Sequence, residues 1–371
     1  MSKSQQLFST VRSDNTLSLS IAEREIPTPA ESEVLVRIDA TPLNPSDIAT
    51  LLAVADISTV RSEESGTTVA DIPPAFLSRF ATRLDKPWPV GNEAAGEVVD
   101  AGGSDLSKAL MGKTVSFATG GNYAQYRCVP AHMCLPMEEG VSARDAASSF
   151  VNPMTALGFI ETMQAEGHKA LINTAAASNL GQMLNRICMA DGIDLINVVR
   201  KPEQENTLRE MGAKYIVNSS DSGFVENLAD AVAETGATIA FDAIGGGEVA
   251  DGLLTAMEKA AARDMEFYDH YGSRTYKQLY IYGGLDRGKT TMSRLYGFAW
   301  GMGGWLLTNF LMKAKPETLG KMQQRISSEI TTTFATHYSH EISLAEAIAP
   351  DTVKAYAKQA TGEKYLICPS R

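Results

Sequence analysis

The segment ESEVLVRIDA sets Val34, Val36 and Ile38 against polar neighbours, and this period of two predicts a half-buried strand. GEVVDAGG, KTVSFA and NYAQYRCVP follow, with glycine-rich breaks between them. Short strands at such spacing predict a small, irregular antiparallel barrel in the first third of the chain. From about residue 155 the texture changes. ALIN, DLINVVR, YIVNSS, TIAFDAIGGG and LYIYGG are short apolar runs separated by helical patterns. After Gly181, the apolar residues Met183, Leu184, Ile187 and Cys188 recur at helical spacing. Alternating strands and helices predict βαβ units and a parallel sheet, so the chain reads as α/β with a second, β-rich domain. The tail from about Pro316 reads as helices ending in EKYLICP, a last strand expected to return to the first domain. The expected division is 1–153 and 313–371 for the β-rich domain, with 154–312 between them.

Two segments interrupt this plan. Ala53 to Pro87 is long, mixed and polar, and Ala262 to Gln278 carries Tyr268, His270, Tyr271 and Tyr276. Long inserts in compact domains serve as lids over a site or as surface decoration. GFAWGMGGWLLTNFLM (Gly297 to Met312) is too short and too rich in glycine to span a bilayer, and reads either as an exposed apolar patch or as core.

Composition narrows the function. With 371 residues and 44% hydrophobic content the chain can bury a sizeable core. A net charge of −11 with no run of Lys or Arg disfavours nucleic acid and anionic membranes as partners. The N-terminus has neither a secretory nor a transit-peptide layout, and four widely spaced cysteines fit a reducing compartment, so a cytoplasmic location is expected.

Candidate chemistry begins at TAAASNLGQM, which follows ALIN and opens a helix. A strand, a small-residue turn and a helix form the usual seat of a dinucleotide's pyrophosphate, because the helix N-terminus presents N–H groups and a positive dipole end. At the three glycine positions of G-x-G-x-x-G stand Ala176, Ser178 and Gly181. Gly181 keeps the role of close helix packing, Ala176 and Ser178 are the next-smallest choices, and Asn179 tolerates positive φ. With Leu180, these residues read either as a phosphate cradle or as a plain αβ turn. The next strand ends in Arg200-Lys201, where an NAD-binding protein places an acid; a basic pair there suits the 2′-phosphate of NADPH, or is a solvated strand end.

With those residues placed, the chain resembles the zinc-free branch of the medium-chain dehydrogenase/reductase superfamily. The segments that carry the likeness are PLNPSDI, PVGNEAAGEVVDAGG, NYAQY, AASSFVNPMTAL, LREMGAKYIVN, TIAFDAIGG and TGEKYLI, in that order. The overall build is similar to NADPH:quinone oxidoreductases, and NTAAASNLGQM with INVVR is similar to 2-enoyl thioester reductases. The resemblance implies a GroES-like barrel domain and a Rossmann domain with a doubly wound parallel sheet, NADPH in the cleft between them, and a homodimer paired through the nucleotide domains. It implies that Asn44 lies near the nicotinamide ribose, with an Asn-Pro turn residue as the alternative, and that Thr155 lies near the nicotinamide, with a helix start as the alternative. Ile244, Gly245 and Gly246 after one strand, and Gly283 and Gly284 after another, are expected to let the main chain approach the cofactor. Tyr215 would flank the adenosine or pack in the core.

Zinc-dependent relatives need a cysteine, a G-H-E histidine and a further ligand. Here that segment reads Gly91-Asn92-Glu93, no cysteine precedes Cys128, and the histidines lack a ligand spacing, so no metal is expected. Without a Lewis acid, a conjugated acceptor is the easier hydride acceptor. The thioester reductases carry a tyrosine proton donor shortly after N-P-S-D, and no tyrosine occurs here between Asn44 and Gly121. Tyr123 is the nearest hydroxyl, as donor or as a barrel aromatic. The leading expectation is therefore an NADPH-dependent reductase of quinones or other conjugated carbonyls. The rivals are a 2-enoyl thioester reductase and a catalytically silent NADPH-binding sensor.

Overall fold

The computed structural model describes residues 3–64 and 66–371. The chain forms two compact units, Met1–Val151 with Gln323–Arg371, and Asn152–Met322.

The unit Asn152–Met322 is built on six parallel strands: Leu171–Thr174, Leu195–Val199, Tyr215–Asn218, Ile239–Asp242, Lys277–Ile281 and Trp300–Gly304. Counted along the chain, they lie in the order 3-2-1-4-5-6, the doubly wound Rossmann order. Leu195–Val199 is buried at all five positions, as a parallel strand covered on both faces should be. The helix Asn179–Asp191 begins where the Ser178 hydroxyl caps its first turn and ends at Gly192, whose φ of 67° suits a residue without a Cβ. Met183, Leu184, Ile187 and Cys188 all face the interior. The order reverses between the first and fourth strands, and it is outside the C-terminal ends of the strands at such a switch point that open α/β sheets bind ligands.

GFAWGMGGWLL supplies the sixth strand, at the sheet edge, so it is neither wholly patch nor wholly core. Trp305 is buried against Phe159, while Phe298, Met302 and Leu306 are exposed. A Cβ on Gly301 would sit 2.3 Å from the Tyr276 hydroxyl, so a larger residue there would need the exposed Tyr276 side chain to move aside.

In the other unit, Glu33–Pro42 is the central strand. It pairs antiparallel with Ala94–Ala101, Tyr126–Pro130 and the returning C-terminal strand Tyr365–Ile367. Val34, Val36 and Ile38 are fully buried, as their alternation predicts. The 53–87 insert does more than decorate: Asp56–Ser62 and Thr68–Asp71 form a hairpin that joins Thr16–Glu25 and extends a five-stranded sheet.

Candidate functional site

The loop after the first parallel strand is tight. Ala175 takes a φ of 49°, so the left-handed residue is Ala175 and not Asn179, which is the first residue of the helix. The amide of Ala176 donates to the carbonyl of Val198 at 3.2 Å, and the Gly181 amide donates to Ser178 Oγ at 3.2 Å. A Cβ on Gly181 would lie 2.2 Å from the Ala176 carbonyl oxygen, so only glycine lets the helix approach the loop this closely. The side chain of Ala176 is fully buried, and its smallness is what the packing under the loop accepts. Two glycines of the usual fingerprint are thus replaced without opening the turn. These residues fit a pyrophosphate: the helix behind the loop points its N-terminus toward the rim, and the space a Cβ would fill at Gly181 is kept clear.

Arg200 follows the second strand and is exposed, and its guanidinium makes no ion pair among the described residues. Its backbone amide and that of Lys201 both donate to Gln204 Oε1, at 3.0 and 3.1 Å, which ties the turn to the next helix. Ser220 Oγ donates to the Arg200 carbonyl at 3.0 Å, so the loop after the third strand braces the same corner.

Asp242 ends the fourth strand fully buried. It accepts from Thr174 Oγ1 at 2.7 Å and from the amides of Ile244 and Gly245 at 2.9 and 3.0 Å. Thr174 Oγ1 in turn accepts from the Ala243 amide at 2.8 Å. The carboxylate therefore pins the loops leaving the first and fourth strands to one another. Gly245 has a φ of 80°, and a Cβ on it would stand 2.9 Å from the Gly283 carbonyl oxygen. A Cβ on Gly283 would meet the Ala243 carbonyl at 2.6 Å, whereas Gly284 faces open space. Main chain thus packs on main chain along this rim.

The structure brings Ala176, Ser178, Arg200, Lys201, Ile244, Gly245, Gly283 and Gly284 to loops at one end of the sheet, because all six strands run the same way. It does not bring Tyr215 there. Tyr215 opens the third strand opposite Ile196, while Asn218 at the far end pairs with Val199. Three residues of extended strand, about 10 Å, separate Tyr215 from the rim. Lys214 Nζ lies 4.5 Å from the centre of its ring. Thr155 is buried within the helix Val151–Ala165.

The other unit holds a buried polar cluster. Asn44 precedes the helix Pro45–Leu52, and its backbone amide donates to Asp47 Oδ2 at 2.9 Å. The Asn92 amide donates to Asp47 Oδ1 at 2.8 Å. Glu93 Oε1 accepts from Asn44 Nδ2 at 2.7 Å, and Glu93 Oε2 accepts from the amides of Phe150 and Val151 at 2.8 and 2.9 Å. Half-buried Lys364 donates from Nζ to Asn44 Oδ1. Asp47 and Glu93 are each 1% exposed. Burial raises the Asp47 carboxyl to about 7 against the pull of its two amide donors, and burial raises Glu93 as well. Burial pushes the Lys364 ammonium down to about 8, opposed by the charges of Glu93 and Asp47. Tyr123 is fully buried with its hydroxyl donating to the Pro42 carbonyl at 3.3 Å, and Gly91, with a φ of 100°, lies directly against its ring. Asp47 and Lys364 were not singled out by the sequence; the N-P-S-D spacing, which puts an acid at the third helical position, was the signal available for Asp47.

Among the described residues no three His, Cys, Asp or Glu side chains are grouped to hold a metal ion, and no helix is long and apolar enough to cross a membrane. Residues 30–139 match the alcohol dehydrogenase GroES-like domain. The chain is 25% identical over 162 residues to a quinone oxidoreductase of Pseudomonas aeruginosa, covering 43% of this chain and 50% of that protein. It is 28% identical over 197 residues to a mitochondrial enoyl-[acyl-carrier-protein] reductase of Xenopus tropicalis, covering 51% and 49%. The chain spans about half the length of the curated relatives it matches. The solved structure of Escherichia coli quinone oxidoreductase complexed with NADPH superposes with a TM-score of 0.69 at 17% identity, covering 98% of this chain and all of that one. The fold is that of this solved quinone oxidoreductase. In that fold the GroES-like domain and the Rossmann sheet are the two parts described above.

Proposed function

We propose that this chain is an oxidoreductase that uses NADPH to reduce a quinone or another conjugated carbonyl, without a metal. The observation that supports it most is the rim of the parallel sheet, where the Ser178-capped loop and the unpaired guanidinium of Arg200 follow adjacent strands. When bound, the reduced nicotinamide supplies the hydride. The loop Ala176 to Gly181 would hold the pyrophosphate on helix N–H groups, and Arg200 with Lys201 would hold the 2′-phosphate. Gly245 and Gly283 would let the main chain approach the cofactor, with Asn44 and Thr155 toward the nicotinamide end. Tyr123 could act as proton donor only by leaving a buried position and the Pro42 carbonyl. A quinone needs no such donor, because its reduced oxygens take protons from water.

A 2-enoyl thioester reductase is the second reading, favoured by the similarity to an enoyl reductase at an identity like that of the quinone oxidoreductase. NADPH oxidation followed at 340 nm against a panel of quinones, enones and crotonyl-type thioesters separates the two, with metal content measured on the same sample. Turnover of thioesters alone would sink the first reading, and tight NADPH binding with no turnover on any acceptor would favour a sensor. Size-exclusion chromatography tests the homodimer expected by resemblance. Arg200→Ala is expected to lower the preference for NADPH over NADH by about tenfold or more, as loss of a charge-assisted phosphate contact should. An unchanged preference would remove Arg200 from the 2′-phosphate site.

A further inference from the structure

Lys364 leads into the strand Tyr365–Ile367, and its local sequence, TGEKYLI, reads as that of an ordinary surface lysine. Its position in the fold says otherwise. Its Nζ donates to the side-chain oxygen of Asn44, a residue 320 positions away, and the side-chain nitrogen of Asn44 donates to Glu93 Oε1 at 2.7 Å. An ammonium group can only donate and a carboxylate can only accept. A carboxamide held between the two therefore has one permitted orientation, oxygen toward Lys364 and nitrogen toward Glu93. Removing Lys364 takes away the charged donor to the carboxamide oxygen, while Glu93 and the amide of the third helical residue still favour the same orientation.

The same lysine answers a charge problem. Asp47 and Glu93 are both buried, and two carboxylates out of water need a cation or a proton. The charge of Lys364 reaches both. The other titratable groups facing the cluster are the phenols Tyr123 and Tyr338, each pushed above its ordinary value by burial, so they bring no charge near neutral pH.

We propose that Lys364 is a positioning residue of the candidate site, orienting the Asn44 carboxamide and supplying the counter-charge that keeps Asp47 and Glu93 buried beside it. The inference rests on the reading of the chain as an NADPH-dependent oxidoreductase, in which Asn44 lies beside the nicotinamide ribose.

The test is a double-mutant cycle in the full chain with Lys364→Met, Asn44→Ala and the pair, and Lys364→Arg as the conservative variant. NADPH affinity is read by fluorescence, and thermal unfolding is followed from about pH 5 to about pH 8, the window in which unpaired carboxylates titrate. Lys364→Met is expected to weaken NADPH binding by about tenfold, the double variant to be no worse than the weaker single variant, and Lys364→Arg to restore most of the affinity. The unfolding temperature of Lys364→Met should fall further below that of the natural chain as pH rises, because carboxylates without the cation stay buried only by keeping protons. Additive losses in the cycle, or a Lys364→Met chain with unchanged affinity and no pH-dependent difference, would overturn the proposal. A natural chain that does not bind NADPH would overturn the functional reading instead. The unfolding cycle tells these apart, since it needs no cofactor.

Discussion

Each unit buries carboxylates at its centre of interest, and the two units do it in opposite ways. Asp242 is surrounded by neutral donors, the Thr174 hydroxyl and the amides of Ile244 and Gly245. Two of the three lie within three residues of it in the chain. Asp47 and Glu93 also accept backbone amides, but they sit together and share Lys364, brought from the far end of the sequence. Neutral dipoles suffice to fix one loop against another. A pair of buried acids needs a cation as well, and so carries a dependence on pH and on a distant residue.

Removing an acid from the paired cluster should have the largest effect. Glu93→Ala takes away the acceptor of three N–H groups and half of the counter-charge to Lys364, and is expected to cost about 3–5 kcal/mol in denaturant unfolding. A loss below about 1 kcal/mol would mean that the cluster relaxes to water, as exposed pairs do. Asp242→Ala leaves the Thr174 hydroxyl and two amides without their acceptor, and about 2–3 kcal/mol is expected in the same measurement. If Asp242→Ala proved the costlier of the two, the contrast drawn here would be reversed.

Gly181→Ala tests the rim by shape alone. Its new methyl would meet the Ala176 carbonyl, and about 1–3 kcal/mol of destabilisation is expected, with weaker NADPH binding measured by fluorescence titration. The smallest effect is in pH. Because burial holds the Asp47 carboxyl up near 7, the folded chain keeps a proton that the unfolded chain has released. Stability therefore falls as pH rises from about 4 through 7. Lys364, held down to about 8, works the other way, and its contribution grows as pH rises from 8 toward 10.5. Asp47→Asn should flatten the first of these slopes and leave the second, which a series of unfolding curves at fixed ionic strength would show.

How far the molecule was legible depends on how local its causes are. ALIN, DLINVVR, YIVNSS, TIAFDAIGG and LYIYGG each read as a strand because burial on both faces requires an unbroken apolar run. Ser178 and Gly181 could be placed on a helix start because capping acts across three residues. The seam at Gln323 was not marked, since it falls inside the helix Pro316–Glu329, where no glycine or proline break interrupts the pattern. The hairpin in the 53–87 insert was missed because its polar, half-exposed strands alternate weakly. The resemblance implies that Tyr215 flanks the adenosine or packs in the core; a strand has two ends, and only the parallel register shows which end a residue occupies.

The sequence alone determined the strand and helix periodicities, the small-residue loop before Gly181, the basic pair at Arg200, and the absence of the ligands that zinc-dependent relatives use. These are properties of neighbouring residues, set by periods of 2 and 3.6 and by the chemistry of one turn. Only the tertiary structure decided that Ala175 carries the left-handed turn, that Tyr123 spends its hydroxyl on Pro42, and that Lys364 reaches Asn44. Hydrogen bonds and buried charges are settled between side chains that meet after folding. Nothing in the spacing of residues 44, 47, 93 and 364 along the chain records that they meet.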